Sequence, residues 1–264
     1  MKIRKYSAIS KIEFKQGFQY FFDFLLSAFF IVVILFVFSN LWRTIYGTKA
    51  TIDGFSIGMM IWYLAFTEAV TMGMGWRSLF ETVSDEVKNG TVSNYLTKPL
   101  SYVGWHMSKG FSKFVITFVT VLFISSVLCL LLVGPISFSY FQIIPLIIIT
   151  LMTFILSFFI GMSLSLLAFW LEDVTALYWI LQKGLFILGG MLIPLDVYPA
   201  AISKYLTYLP FAFIVYGPGK YFVTGDISVF THTLIGQIFW VSICAGIMIL
   251  IYKLAIGRLN IHGG

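Results

Sequence analysis

Charge is what this sequence most lacks. Only 11% of its 264 residues are Asp, Glu, Lys or Arg, against roughly 25% in an average soluble domain. A soluble chain of this length would need far more polar surface to cover a single core. Apolar residues instead make up 59% of the chain and the mean hydropathy is +0.96, so the solvent around most of it is lipid. Cysteine is nearly absent. Cys129 and Cys244 both lie inside apolar runs, which gives no disulfide framework and no metal spacing, and both read as small core residues. Signatures of soluble catalysis are missing too. No G-x-x-x-x-G-K-[ST] phosphate loop occurs, since Gly219-Lys220-Tyr221 lacks both the earlier glycine and the hydroxyl residue. His106, His232 and His262 stand far apart with no ligand spacing, and no nucleophile elbow is found. The chain is therefore read as not an enzyme: it neither binds nor hydrolyses ATP alone and carries no cofactor of its own.

Long apolar runs are abundant. A helix needs about 20 apolar residues to cross the hydrocarbon layer, and runs of that kind lie at 21–45, 57–80, 108–133, 141–170, 176–194 and 232–254. In lipid each backbone N–H and C=O must be satisfied within its segment, which makes these runs helices. A barrel would need short alternating segments of about 10 residues, and alternation is lacking. The expected fold is an all-α, six-span membrane protein forming one transmembrane domain over 1–264. The first run begins after about twenty residues and ends in Trp42-Arg43. That is unlike a signal peptide, with its shorter core and small-residue cleavage site, so the first helix is expected to stay in the mature protein.

The net charge of +6 would suit a nucleic acid or a membrane surface, and its distribution selects the membrane. Lys2, Arg4, Lys5, Lys11 and Lys15 precede the first run. Arg77, Lys88, Lys98, Lys109 and Lys113 flank the loop between the second and third, and Lys253 and Arg258 follow the last. Only Arg43, Lys49, Lys204 and Lys220 fall on the other side. The positive-inside rule then places both termini and the 81–106 loop in the cytoplasm, with membrane lipid as a partner and no nucleic acid.

Between the runs the chain shows further order. In residues 1–20, Ile3, Tyr6, Ile9 and Ile12 recur every three positions among lysines, as in an amphipathic helix lying in the interface; a plain basic anchor is compatible with the same pattern. Gly54 and Gly58 form a small-xxx-small pair, either a helix-packing contact or a chance match. After the second run, Phe80, Val83 and Val87 continue a helical face beyond the membrane, with Glu81, Asp85 and Glu86 on other faces. Gly90 is placed to end that helix, a short turn follows over Ser93 to Leu96, and Pro99 stops it. The result is a compact cytoplasmic elbow. Gly134-Pro135 breaks the long 108–170 stretch into two helices, and Glu172-Asp173 marks a turn into the fifth. The outer segment 195–231 is apolar yet interrupted by Pro199, Pro210 and Pro218. Its short apolar pieces read as re-entrant helices dipping into the outer leaflet.

Ionisable residues inside spans are the main functional candidates, because burying charge there is expensive. Glu68 lies about 18 Å from the inner end of the second run, and Lys183 about 12 Å into the fifth, at 1.5 Å per residue. The two depths permit a Glu68–Lys183 pair, within one chain or across a subunit interface, or a polar translocation path lined by either. The alternatives are a buried structural pair or a lysine that snorkels to the cytoplasm. Asp23 is near the inner end of the first run, at headgroups or water. The 28 phenylalanines and 14 tyrosines are mostly lipid-facing filler and interfacial belts rather than a cation cage.

Three stretches together resemble the permease subunits of type-2 ABC exporters, particularly a branch known only as a domain of unknown function. The first is Glu86-Val87-Lys88-Asn89-Gly90-Thr91 followed by Tyr95-Leu96-Thr97-Lys98-Pro99-Leu100. The second is Met191-Leu192-Ile193-Pro194-Leu195-Asp196-Val197-Tyr198-Pro199 with Leu209-Pro210-Phe211. The third is the ending Asn260-Ile261-His262-Gly263-Gly264. The resemblance covers essentially the whole chain. It implies a permease that works as a homodimer or with a related second permease, bound to a separate cytoplasmic ABC ATPase that holds ATP and Mg, in a prokaryotic plasma membrane. It further implies that Glu81, Asp85, Glu86, Lys88, Asn89, Gly90, Tyr95, Leu96, Lys98 and Pro99 form the ATPase-coupling helix and its surroundings. The basic N-terminal helix would touch the ATPase as well. The second and fifth helices, with Glu68 and Lys183, would line the path, and the outer re-entrant helices would cap its exit. A secondary transporter, for which internal repeats are missing, or a non-transporting scaffold subunit are the other readings.

Overall fold

An apolar run in lipid has to close its own backbone hydrogen bonds, and here the long runs do so as helices. The computed structural model describes residues 21–96, 101–171 and 173–262, together with Tyr6, Ser10 and Lys11. In chain order the elements begin with α1 (Phe21–Tyr46), a hairpin of β1 (Thr51–Ile52) and β2 (Phe55–Ser56), α2 (Ile57–Gly73), α3 (Trp76–Lys88), α4 (Ser93–Leu96) and α5 (Tyr102–Leu132). They continue with α6 (Ile143–Ser165), α7 (Thr175–Leu188), α8 (Ala200–Leu206), α9 (Pro210–Ile214), α10 (Tyr216–Thr224) and α11 (Ile227–His262), with single 3-10 turns at Tyr140–Gln142, Leu166–Phe169 and Leu195–Val197. Five stretches are long and apolar enough to cross a membrane, with α7 as a shorter apolar helix of 14 residues. The all-α membrane fold expected from hydropathy is what the chain adopts.

α2 is the central helix. Every residue from Met60 to Val70 is buried, as befits a helix that is apolar all round. Ser56 caps it, its hydroxyl accepting from Met59 N at 3.2 Å. Around α2 pack α1, α5 and α10, while α6 packs along α11 and carries α3. Outward faces of α1 and α5 expose Phe29, Phe36, Phe123 and Leu131, the side chains that meet lipid. Cys129 and Cys244 are buried and free, in keeping with core residues.

Two runs that read as continuous are broken, each by a glycine in the left-handed region. The second ends as α2 at Gly73, and Gly75 (φ +61°) stands before a separate helix, α3. The fifth ends at Leu188, because Gly190 (φ +67°) turns the chain there. Gly189 beside it leaves no room for a side chain, since a Cβ would stand 2.5 Å from the Leu185 carbonyl oxygen. The Gly54–Gly58 pair does not join two helices. Asp53 (φ +47°) and Gly54 (φ +83°) form the two-residue turn of the β1–β2 hairpin, and only Gly58 is helical.

The expected interfacial helix at 1–20 lies largely outside the described residues, as do Lys98, Pro99, Glu172 and the Gly263-Gly264 ending; the Asp23 side chain is likewise not described. Two of the three described N-terminal residues, Tyr6 and Ser10, touch the first turns of α5. Tyr6 OH accepts from Ser101 N at 3.0 Å, Ser10 Oγ donates to the Ser108 carbonyl at 3.0 Å, and Ser112 Oγ donates to the Ser10 carbonyl at 3.0 Å.

Candidate functional site

Two polar clusters stand at opposite ends of the bundle, and two isolated charges lie between them. At one end α3, the Gly90 turn and α4 make the elbow. α3 is fastened to α6 where Trp76 Nε1 donates to the Ser157 carbonyl at 2.9 Å, and Gly161 gives the indole room, since a Cβ there would come within 2.8 Å of it. Phe80 and Val83 are buried beneath α3, as its apolar face requires. Gly90, at φ +68°, ends the helix.

Glu86 turns inward from that helix and collects three donors. Its Oε1 accepts from Tyr95 OH at 3.0 Å, and its Oε2 from Tyr102 OH at 2.6 Å and from His106 Nε2 at 3.0 Å. Tyr102 and His106 are one turn apart on α5, and Tyr102 stacks on Tyr252 of α11. One carboxylate therefore ties α3, α4 and α5 together, next to α11. Its side chain is 14% exposed, and the donors Tyr102 and His106 are buried. Burial, and then the bond to Glu86, push the Tyr95 phenol up to about 12.

The ten residues implied for coupling thus separate into two groups. Glu81, Asp85, Lys88, Asn89 and Gly90 are exposed on the elbow, whereas Glu86 and Tyr95 face the cluster. The Leu96 side chain, Lys98 and Pro99 lie outside the described side chains. Sequence reasoning missed Tyr102 and His106. Their i, i+4 spacing on one helix face was the available signal, but a Tyr–His pair at that spacing has no ligand pattern to set it apart from other helix neighbours.

At the other end the broken backbone after α7 is held by side chains. Tyr63 OH donates to the Gly190 carbonyl and Thr67 Oγ1 to the Met191 carbonyl at 2.8 Å, both from the buried face of α2. α10 lies so close to this pair that a Cβ on Gly219 would come within 2.7 Å of Tyr63. Asp196 Oδ1 accepts from Lys220 Nζ at 2.6 Å, and its Oδ2 from Tyr216 OH at 2.9 Å. Gln237, fully buried on α11, donates to the carbonyls of Ile149 and Phe213 at 3.0 and 2.9 Å. A cavity of about 290 Å³ opens between α9, α10 and the start of α11, lined by Phe213, Tyr216, Lys220, Ser228, His232 and Thr233. Tyr216 and Gln237 were not singled out from the sequence, and Lys220 entered it only as an outer-side charge and in a failed phosphate-loop match.

Glu68 and Lys183 are not brought together within the chain. Glu68 is 4% exposed on α2. Lys183 is on the open face of α7, its Nζ 5.3 Å from the Phe186 ring centroid and 6.0 Å from that of Trp179. Among the described residues Lys183 makes no hydrogen bond or ion pair.

Residues 18–263 match the sequence profile of a family described as ABC-2 family transporter protein. No curated protein matches the chain at a significant level.

Proposed function

Because the chain belongs to the ABC-2 family of transporter proteins, the membrane permease of ABC transporters, we propose that it is the transmembrane subunit of an ATP-driven exporter, coupled through its elbow to a separate cytoplasmic ATPase. The observation that carries this is the build of the elbow. A short amphipathic helix and the turn after it expose Glu81, Asp85, Lys88, Asn89 and Gly90, while Glu86 locks the helix's inner side to α5. A polar face on a braced lever is what force transfer from a soluble partner requires. An elbow free to flex would dissipate the partner's motion before it reached the spans.

In this reading the elbow and both termini are cytoplasmic, in a prokaryotic plasma membrane, as the lysine and arginine distribution supports. ATP and Mg²⁺ are held by the partner ATPase. Two permeases, identical or related, meet so that α2 and α7 face the path, and α8 to α10 cap its outer exit. ATP-driven closure of the ATPase pair moves the elbows, and the braced helices carry that motion to the cap.

Affinity purification of the chain in mild detergent with a non-hydrolysable ATP analogue tests the proposal. A stoichiometric soluble ATPase should co-purify, and should be lost when Asp85, Lys88 and Asn89 are replaced together by alanine. Recovery of the chain alone, or with membrane partners only, would refute it.

A further inference from the structure

We infer that the exported cargo is an anionic amphiphile, met within the membrane by Lys183 on the open face of α7; this rests on the permease reading given above. α7 buries Tyr178, Leu181 and Leu185 and packs on α3, α6 and α9. Its other side exposes Trp179, Ile180, Lys183 and Ile187, which the helical repeat gathers into one stripe. Lys183 lies about 12 Å from the start of α7 at 1.5 Å per residue, and the rest of the stripe is apolar.

A lysine within a membrane helix ordinarily stretches its stem and delivers the ammonium to the interface. Lys183 does not. Its Nζ sits between Trp179, one turn back, and Phe186, nearly one turn ahead, and is nearer to Phe186. Two ring faces hold the charge at its own level among apolar side chains, where cation–π contacts alone do not offset the desolvation of an ammonium. A counter-anion is required. Among the described side chains, the surface carboxylates Asp53, Glu81, Asp85, Asp173 and Asp226 all lie in the elbow or in connections. Asp196 is engaged by Lys220, Glu86 by Tyr95, Tyr102 and His106, and Glu68 is buried on α2. With none of these described carboxylates beside Lys183, an anion carried by whatever occupies the face is the group that complements it. Ile180, Ile187 and Trp179 around the charge suit an apolar tail joined to an anionic head.

The test uses the permease with its co-purifying ATPase in nanodiscs of zwitterionic phosphatidylcholine, and reads ATP hydrolysis against decyl sulfate, decyltrimethylammonium and decyl maltoside. Decyl sulfate should stimulate hydrolysis at a concentration about tenfold or more below that of the cation, the scale of one charge-assisted contact. Lys183→Met should raise the half-stimulating decyl sulfate concentration by about the same factor, while Lys183→Arg retains the wild-type value. Recovery of each variant with its ATPase in wild-type yield establishes that it folds. A preference for the cation, or an unchanged decyl sulfate response in Lys183→Met, would overturn the inference and assign the ammonium to lipid headgroups. Carbodiimide coupling of Lys183 to a carboxylate of a second permease would overturn it too, by supplying the counter-charge from protein. Basal hydrolysis without anion preference leaves the permease reading standing, whereas absence of any ATPase refutes that reading itself.

Discussion

The two ends of the bundle handle broken helices in opposite ways. At the elbow, one carboxylate gathers three side-chain donors, two of them on buried residues of α5. At the far end no residue dominates: Tyr63 and Thr67 satisfy carbonyls after α7, Gln237 bridges α6 and α9, and Asp196 pairs with Lys220. The first arrangement is a brace with a single keystone. The second is a distributed seal around backbone that helix geometry no longer satisfies, which membrane depth tolerates only when other groups supply the bonds. A lever that transmits force suits the former, and a cap that must open and reclose suits the latter.

Removing the keystone should have the largest effect. Glu86→Ala strands the Tyr102 hydroxyl and the His106 ring in a buried setting and should cost about 2–4 kcal/mol. It should be read as a lower thermal midpoint in detergent and as faster tryptic cleavage at Lys88. An equal loss from Asp196→Ala would erase the contrast between the ends. Next comes Tyr63→Phe, which leaves the Gly190 carbonyl unpaired at a cost of about 1–3 kcal/mol. Thr67→Val should cost less, about 1 kcal/mol, because the Met191 carbonyl lies beside the same seal. If these two losses added fully in the double variant, the seal would be independent contacts; a smaller combined loss indicates a shared element. The smallest effect belongs to Arg77→Ala. Its 2.8 Å ion pair with Glu81 is exposed on both sides, and exposed i, i+4 pairs contribute little, so the thermal midpoint should not move measurably.

What could be read from the sequence divides along similar lines. The all-α membrane fold, with five stretches long and apolar enough to cross, was legible because transfer from water to lipid depends on composition, and composition is what a hydropathy window measures. The elbow's apolar face was legible from Phe80, Val83 and Val87, and its end from Gly90, since period and punctuation are local. The early end of α7 was not: Met191-Leu192-Ile193 continues the apolar run, and nothing in hydropathy reports that Gly190 sits at positive φ. The break at Gly75 escaped for the same reason. Glu86 was grouped with its outward neighbours because its direction depends on Tyr102 and His106, 16 and 20 residues away. Tyr63 and Thr67 find their carbonyl partners 127 and 124 residues on, a separation that no local pattern encodes.

Site-directed cross-linking from the elbow tests coupling to an ATPase most directly. Asn89 is exposed, and the two native cysteines are buried, so Asn89→Cys supplies one reactive thiol on the elbow, with Val119→Cys on the outward face of α5 as its control. A heterobifunctional reagent applied to membranes should join position 89, and not position 119, to a soluble ATPase chain. It should do so with different efficiency when ATP is bound and when it is absent. A cross-link from position 89 to membrane proteins alone, or the same ATPase product from both positions, would contradict the account.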